Sequence, residues 1–156
     1  AELLKTNRVA VIYEGVTALP SRRYEDYDQA YKGPALLYEA GVQFCIAPAG
    51  SAGAAYRLRN LPNQAAMAAA YGLPKDIALR SITLSAAEVI GIDDKVGSLE
   101  SGKDATLFIS NGDPLEIRTN VLQAYIQGRK IDMNDRHKTL YHKYQEKYRQ
   151  LGILSE

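Results

Sequence analysis

Two short runs of consecutive apolar residues lie in the first third of the chain, at 8–14 (RVAVIYE) and 42–47 (VQFCIA). Runs of this kind are typical of parallel strands that are covered on both faces. A polar loop over 15–33 separates them from a helix that we expect to begin at Pro34 and to end before Gly41. The order strand, helix, strand predicts a βαβ unit with a right-handed crossover.

The middle of the chain changes to a helical pattern. A loop of small residues over 48–60 leads to an Ala-rich helix over 61–71. Two shorter helices follow, and the second carries Ser85 and Glu88 in the spacing of a capping box. Gly91 is expected to end that helix, because glycine adopts the left-handed conformation of a C-terminal cap at low cost.

The last third predicts a small β unit followed by one helix. Strands are expected at about 105–110, 121–126 and 129–132, and the dipeptide Gln-Gly at 127–128 is a two-residue hairpin signal. The segment 137–151 repeats large apolar residues at helical spacing, which predicts an amphipathic terminal helix.

The stretch 72–109 reads GLPKDIALRSITLSAAEVIGIDDKVGSLESGKDATLFI. It resembles the C-terminal end of the metal-dependent amidohydrolase superfamily, especially its imidazolonepropionase-like members. The shared features are a Gly-Leu-Pro at a helix end, an Ala-Leu…Thr…Ala…Gly helix pair, and Gly-Ser-Leu-Glu-x-Gly-Lys-Asp-Ala at 97–105. The likeness continues through 111–116 (NGDPLE) and 128–130 (GRK), and a weaker likeness covers 1–132. It matches only the last third of such an enzyme.

The resemblance implies an α/β fold, the C-terminal part of an amidohydrolase-type TIM barrel. We expect 1–96 to supply two parallel strands and outer helices, 97–134 to form a small β subdomain that belongs to a composite β domain in the family, and 135–156 to hold the C-terminal helix. It also implies a hydrolase acting on C–N bonds other than peptide bonds, which we expect to be inactive as this isolated chain. A non-catalytic homologue acting as a structural or interaction protein is the alternative.

Catalysis in the family implies a divalent metal such as zinc, bound by histidines of earlier strands and by an aspartate at the end of the last strand. This chain has no His-x-His pair, and it reads Pro48-Ala49 where that aspartate would stand. No Asp or Glu occurs between Gly41 and Gly72. We therefore predict no catalytic residue, no metal ligand and no cofactor in this chain.

Other candidate sites have simpler explanations. His137 and His142 are five residues apart on a helix, about 140° around its axis, so they do not converge on one metal. The spacing of 97–103 fits a P-loop, but Asp104 replaces the hydroxyl residue and a strand follows, so we interpret it as a polar turn. Cys45 lies in an apolar run and is interpreted as a buried side chain.

Polar residues in the loops after the two strands are the candidate substrate-binding residues. In barrel enzymes ligands bind at the carboxyl ends of the strands, where these loops collect. We predict that they line a substrate mouth and recognise a carboxylate; solvated loop charge is the simpler alternative, and both interpretations are open. The residues are Arg22, Arg23, Arg57, Arg59 and Asn60.

Composition limits the partners. The 156 residues carry a net charge of +1, which gives no electrostatic reason to expect nucleic acid or an anionic membrane as partner. No apolar stretch approaches the roughly 20 residues of a membrane helix and no signal peptide opens the chain, so a cytoplasmic location is expected. The chain begins at Ala1 without methionine, and we expect it to be part of a longer protein that takes a small-molecule substrate. Unpaired strand edges predict self-association or pairing with the missing N-terminal part of the same protein.

Overall fold

The computed structural model describes residues 1–48 and 55–154. Helices and strands alternate in the first half of the chain, and a small sheet and a long helix follow. The elements are α1 (Glu2–Thr6), β1 (Val11–Glu14), α2 (Gln29–Glu39), β2 (Phe44–Ala47), a 3-10 helix (Ala55–Asn60), α3 (Leu61–Ala70), α4 (Lys75–Ser81), α5 (Leu84–Ile90), β3 (Leu107–Ser110), β4 (Val121–Ile126), β5 (Arg129–Lys130) and α6 (Arg136–Gln150).

Strands β1 and β2 pair in parallel, with Val11 opposite Phe44 and Glu14 opposite Ala47. The predicted βαβ unit is therefore confirmed. Both strands begin two or three residues later than predicted. At β1 the reason is Arg8, whose φ of 51° is left-handed and incompatible with an extended strand. Within the described residues the two strands form a sheet of their own, and a closed barrel is not seen.

Helix α2 begins at Gln29, five residues before Pro34, so the prediction that Pro34 starts this helix was wrong. Proline inside a helix leaves the carbonyl four residues earlier without its usual donor. Here that carbonyl belongs to Ala30, and it accepts a hydrogen bond of 2.8 Å from the Tyr13 phenol on β1. Burial raises the pKa of Tyr13, which keeps the phenol a donor. A tertiary contact thus replaces the bond that Pro34 cannot make.

The hydrophobic core lies between β2 and the helices α2, α3 and α4. Alanines on the buried faces of these helices let their backbones approach closely, so a short sheet can be covered by several helices. The buried cluster consists of Val16, Ala35, Phe44, Ile46, Ala65, Ala68, Leu73, Ala78 and Leu115.

The start of α5 differs from the predicted capping box. Thr83 is the N-terminal cap residue, and its hydroxyl donates back to the Leu79 carbonyl at 2.8 Å. Ser85 lies inside the helix, and Glu88 forms an ion pair with Arg80 on α4 instead of reaching back to the helix start. Gly91 ends the helix with a φ of 73°, as predicted.

The antiparallel sheet has the order β3-β4-β5. Gln127 and Gly128 both have positive φ, 50° and 75°, which is the conformation of the predicted two-residue hairpin turn. Residues 97–103 form a turn, in which the Lys103 ammonium donates to the Ser98 hydroxyl at 2.6 Å. Since β3 follows this turn rather than a helix, the structure agrees with the polar-turn interpretation. None of the described helices has the length and apolar character needed to span a membrane.

An ion pair connects α4 with the turn after β3, and we expect it to make stability depend on pH. Lys75 Nζ lies 2.6 Å from Asp113 Oδ2. The hydrogen bond from Lys75 lowers the pKa of Asp113 below its ordinary 3.8, and the same bond raises the pKa of Lys75 above 10.5. The ion pair therefore contributes its full stabilisation between pH 3.8 and pH 10.5. This contribution is lost as the pH falls through the lowered pKa of Asp113. It is also lost as the pH rises through the raised pKa of Lys75.

Asp113→Asn isolates this charge, because the new amide oxygen can still accept the 2.8 Å bond from the Leu115 backbone N–H. The melting midpoints of the unmodified chain and of the Asp113→Asn variant should differ near neutral pH and become equal in strong acid. Since both side chains are partly exposed, the difference should be small. A difference that grows as the pH falls would contradict this assignment.

Candidate functional site

A cleft of about 500 Å³ is lined by residues that follow the carboxyl ends of β1 and β2. One lining residue comes from the loop after β1, and the others come from the 3-10 helix and α3. The lining residues are Thr17, Arg57, Arg59, Asn60, Asn63, Gln64 and Met67.

Local helix geometry explains why these side chains share one surface. The 3-10 helix runs directly into α3, with Asn60 as the N-terminal cap residue and Pro62 in the first turn. Residues three apart eclipse each other in a 3-10 helix, so Arg57 and Asn60 point the same way. Residues three and four apart share one face of an α-helix, which continues the line from Asn60 through Gln64 to Met67.

The cleft is cationic and rich in amides. Arg57 and Arg59 supply guanidinium groups, and no described residue that lines the cleft carries a carboxylate. Guanidinium groups bind carboxylates through paired, charge-assisted hydrogen bonds. Gln64 Oε1 is buried and accepts no hydrogen bond from residues 1–48 or 55–154. The arrangement is suited to a ligand that has an anionic group beside an N–H or O–H donor.

The structure brings together three of the five predicted substrate-binding residues. Arg57, Arg59 and Asn60 line the cleft, whereas the residues found to line it do not include Arg22 or Arg23. Arg22 donates from its side chain to the Tyr24 hydroxyl and from its backbone to a Glu25 carboxylate oxygen at 3.1 Å. Contact with a substrate stays a prediction for all five residues.

Sequence reasoning missed the other lining residues. Asn63, Gln64 and Met67 belong to α3, the Ala-rich helix that was expected only to cover the outside of the strands. Helical spacing from Asn60 could have indicated these three residues, because positions three, four and seven residues later lie on the same face of a helix as Asn60. Thr17 had no local signal, because only the folding of the loop after β1 brings it to the cleft.

The donor set of the described residues does not fit the metal that the resemblance implies. Residues 1–48 and 55–154 contain no group of three or more His, Cys, Asp or Glu side chains that could hold a metal ion. His137 and His142 are exposed on α6. Burial raises the pKa of the Cys45 thiol, which disfavours the thiolate that binds metals. Ala49, in the place of the expected aspartate, lies outside the described residues.

Comparisons with known proteins match the chain to the amidohydrolase family that the sequence resembles. The sequence profile described as "Amidohydrolase family" matches residues 33–134. The amidohydrolase tasK of Hapsidospora irregularis is 34% identical over 58 residues, which are 37% of this chain and 6% of that protein.

Solved structures share the fold. A Thermotoga maritima MSB8 amidohydrolase superposes with a TM-score of 0.72 at 24% identity, covering 85% of this chain and 34% of that one. An adenosine deaminase from Xanthomonas campestris, with bound zinc, superposes with a TM-score of 0.51 at 22% identity over 75% of this chain. The present chain spans 34% of the length of each of these two structures.

Proposed function

This chain belongs to the amidohydrolase family, and from that premise we propose that it is the C-terminal part of a hydrolase acting on C–N bonds other than peptide bonds. One observation carries the proposal. The cationic cleft follows the carboxyl ends of two parallel strands, the side on which barrel enzymes bind their ligands. The family and this position together favour a small-molecule substrate rather than a polymer.

The role proposed for this chain is to bind and orient the substrate. Arg57 and Arg59 would hold a substrate carboxylate, and the amides of Asn60 and Asn63 would complete its hydrogen bonds. Gln64 Oε1 would accept from a donor near that carboxylate. Fixing one end of a substrate places its reacting bond relative to groups supplied elsewhere in a complete protein, and such positioning is a large part of enzymatic rate enhancement.

No reaction step is assigned to this chain. Family members use a divalent metal to polarise a carbonyl and to activate water. The described residues do not provide a donor set for such an ion, so its ligands would have to come from outside them. The hydrolytic step would then depend on other strands of the complete protein.

A non-catalytic homologue is the second candidate, and a specific observation favours it. Ala49 stands where the family aspartate is expected, and no acidic residue occurs between Gly41 and Gly72 to replace it. A protein without that aspartate could keep the scaffold and the carboxylate-binding cleft while losing turnover. It would then act as a ligand-binding or interaction protein.

We expect the isolated chain to retain no stoichiometric zinc and to hydrolyse neither N-acyl amino acids nor cyclic amides. Metal analysis of tag-free protein after dialysis checks the first part, and one zinc per chain would contradict it. The same assays on the product of the native reading frame distinguish the two functions. Hydrolysis abolished by a chelator supports the hydrolase. No hydrolysis by the native sequence, with turnover gained in Ala49→Asp, supports the non-catalytic homologue.

A further inference from the structure

A second depression on the surface is apolar and uncovered. It measures about 560 Å³ and lies between α5, the turn that follows α5, and β3. Large apolar side chains on its walls are open to solvent: Leu99 is 83% exposed, Ile90 is 65% exposed and Phe108 is 46% exposed. Exposed apolar surface gathered in one depression is a sign of a docking site. We refer to this depression as the α5–β3 groove.

Charge at the edge of the α5–β3 groove is mainly negative. Asp93 and Asp94 follow the lining residue Ile92 directly, and both are exposed. Asp104 lies two residues before the lining residue Thr106 and is also exposed. Two lysines lie nearby: Lys95 follows the two aspartates directly, and Lys103, which donates to the hydroxyl of the lining residue Ser98 at 2.6 Å, is ion-paired with Glu100 at 3.4 Å. The groove therefore presents an apolar floor beside three carboxylates, which suits a partner with an apolar stripe and positive flanks.

Helix α6 has these properties and buries none of its residues. Leu140, Tyr144, Tyr148 and Leu151 form a stripe at helical spacing, and each is at least 39% exposed. The helix carries five lysines and arginines against one glutamate. The Lys147 ammonium lies 5.9 Å from the Tyr144 ring centre and 6.0 Å from the Tyr148 ring centre, so positive charge borders the apolar stripe.

We propose that α6 of one copy docks its apolar stripe into the α5–β3 groove of a second copy, and that the exchange is reciprocal. This is the helix-in-groove mode of recognition, in which apolar side chains three or four residues apart anchor one helix face. Lys143 and Lys147 would then face Asp93 and Asp94 of the other copy. Because each copy offers both surfaces, two equivalent contacts close the assembly as a dimer.

The segment before α6 favours docking on a second copy over docking on the same chain. The Ile131 backbone N–H donates to the Ala124 carbonyl at 2.9 Å, which fixes the segment to β4. The Asp135 carboxylate caps the helix through the Lys138 N–H at 2.9 Å, and the Lys138 ammonium donates to the Met133 carbonyl at 2.8 Å. These bonds order the start of α6, and in the fold that they belong to the helix buries none of its residues, so its stripe is available to a second copy.

Two charge-reversed variants test the contact. Variant one carries Lys143→Glu and Lys147→Glu, and variant two carries Asp93→Lys and Asp94→Lys. Each alone should repel its own copies, and its dimer dissociation constant should rise by about tenfold or more. Mixed at equal concentration, each altered surface meets a complementary one, and dimers should return. Analytical ultracentrifugation over a dilution series measures all three samples.

A matched control carries Glu2→Lys and Glu39→Lys, which makes the same charge change as variant two at exposed sites away from the groove. It should dimerise like the unmodified chain, and circular dichroism melts verify that every variant is folded. An unmodified chain that stays monomeric at all concentrations overturns the proposal. So does an unmodified dimer that persists in both variants, or variants whose mixture stays monomeric.

Discussion

Gly33→Ala is expected to destabilise the protein by about 2 kcal/mol, although alanine is the better helix former by about 1 kcal/mol. Gly33 lies inside α2, where the Tyr13 phenol crosses the helix to reach the Ala30 carbonyl. An added Cβ would overlap the phenol oxygen and lie 2.7 Å from Cε2 of the same ring. Overpacking costs about 1–3 kcal/mol, and displacing the ring also leaves the Ala30 carbonyl without its donor, at about 1–3 kcal/mol.

Thermal melts check this result, and we expect the midpoint to fall by roughly 4–8 °C for a chain of this size. The matched control is Gly33→Ala in a Tyr13→Ala background, where the ring is absent. There the substitution should be neutral or stabilising, because only the helix propensity of alanine remains. Equal destabilisation in both backgrounds would show that overlap with the Tyr13 ring is not the cause of the destabilisation.

The second large effect is expected on ligand binding. Replacing both Arg57 and Arg59 by alanine should lower the affinity of the cleft for an N-acyl amino acid by about a hundredfold or more, since hydrogen bonds to charged groups contribute about 1.5–3 kcal/mol each and both are lost. N-acetylglycine, followed by amide NMR shifts, is a suitable probe. N-acetylglycinamide has the same shape without the charge, and it should bind weakly to both proteins.

The control for this experiment is the double variant Arg22→Ala and Arg23→Ala. It removes the same charge from a loop whose contacts lie within 21–25, away from the residues found to line the cleft. An affinity for N-acetylglycine equal to that of the unmodified chain would assign the carboxylate to the cleft, whereas a loss of affinity would show that the predicted Arg22 and Arg23 also contact the ligand. If this variant loses binding while the Arg57 and Arg59 variant retains it, the cleft is not the carboxylate site.

Features set by neighbouring residues were predictable from the sequence. The Gln127-Gly128 turn, the end of α5 at Gly91 and the polar turn at 97–103 each depend on backbone preferences of a few residues. The parallel pairing of β1 and β2 followed from the helix between two apolar runs. In these segments the local preference and the final fold agree.

Features set by tertiary contacts were missed. The start of α2 depends on Tyr13, 17 positions before Ala30, which supplies the bond that Pro34 cannot. Glu88 could have capped α5, but Arg80 on the preceding helix offers a charged partner. The same limit applies to the cleft. Three of its residues were predicted from their loop position, whereas Thr17 reaches it only through folding of the chain after β1.

We propose that β1 and β2 belong to an amidohydrolase-type barrel whose mouth contains the cleft of Arg57 and Arg59. An experimental structure of the product of the native reading frame, crystallised with N-acetylglycine, tests this claim most directly. We expect β1 and β2 to be neighbouring strands of an eight-stranded barrel, with the ligand carboxylate between the two guanidinium groups. A sheet that remains two-stranded, or a cleft covered by other parts of the protein, would contradict it.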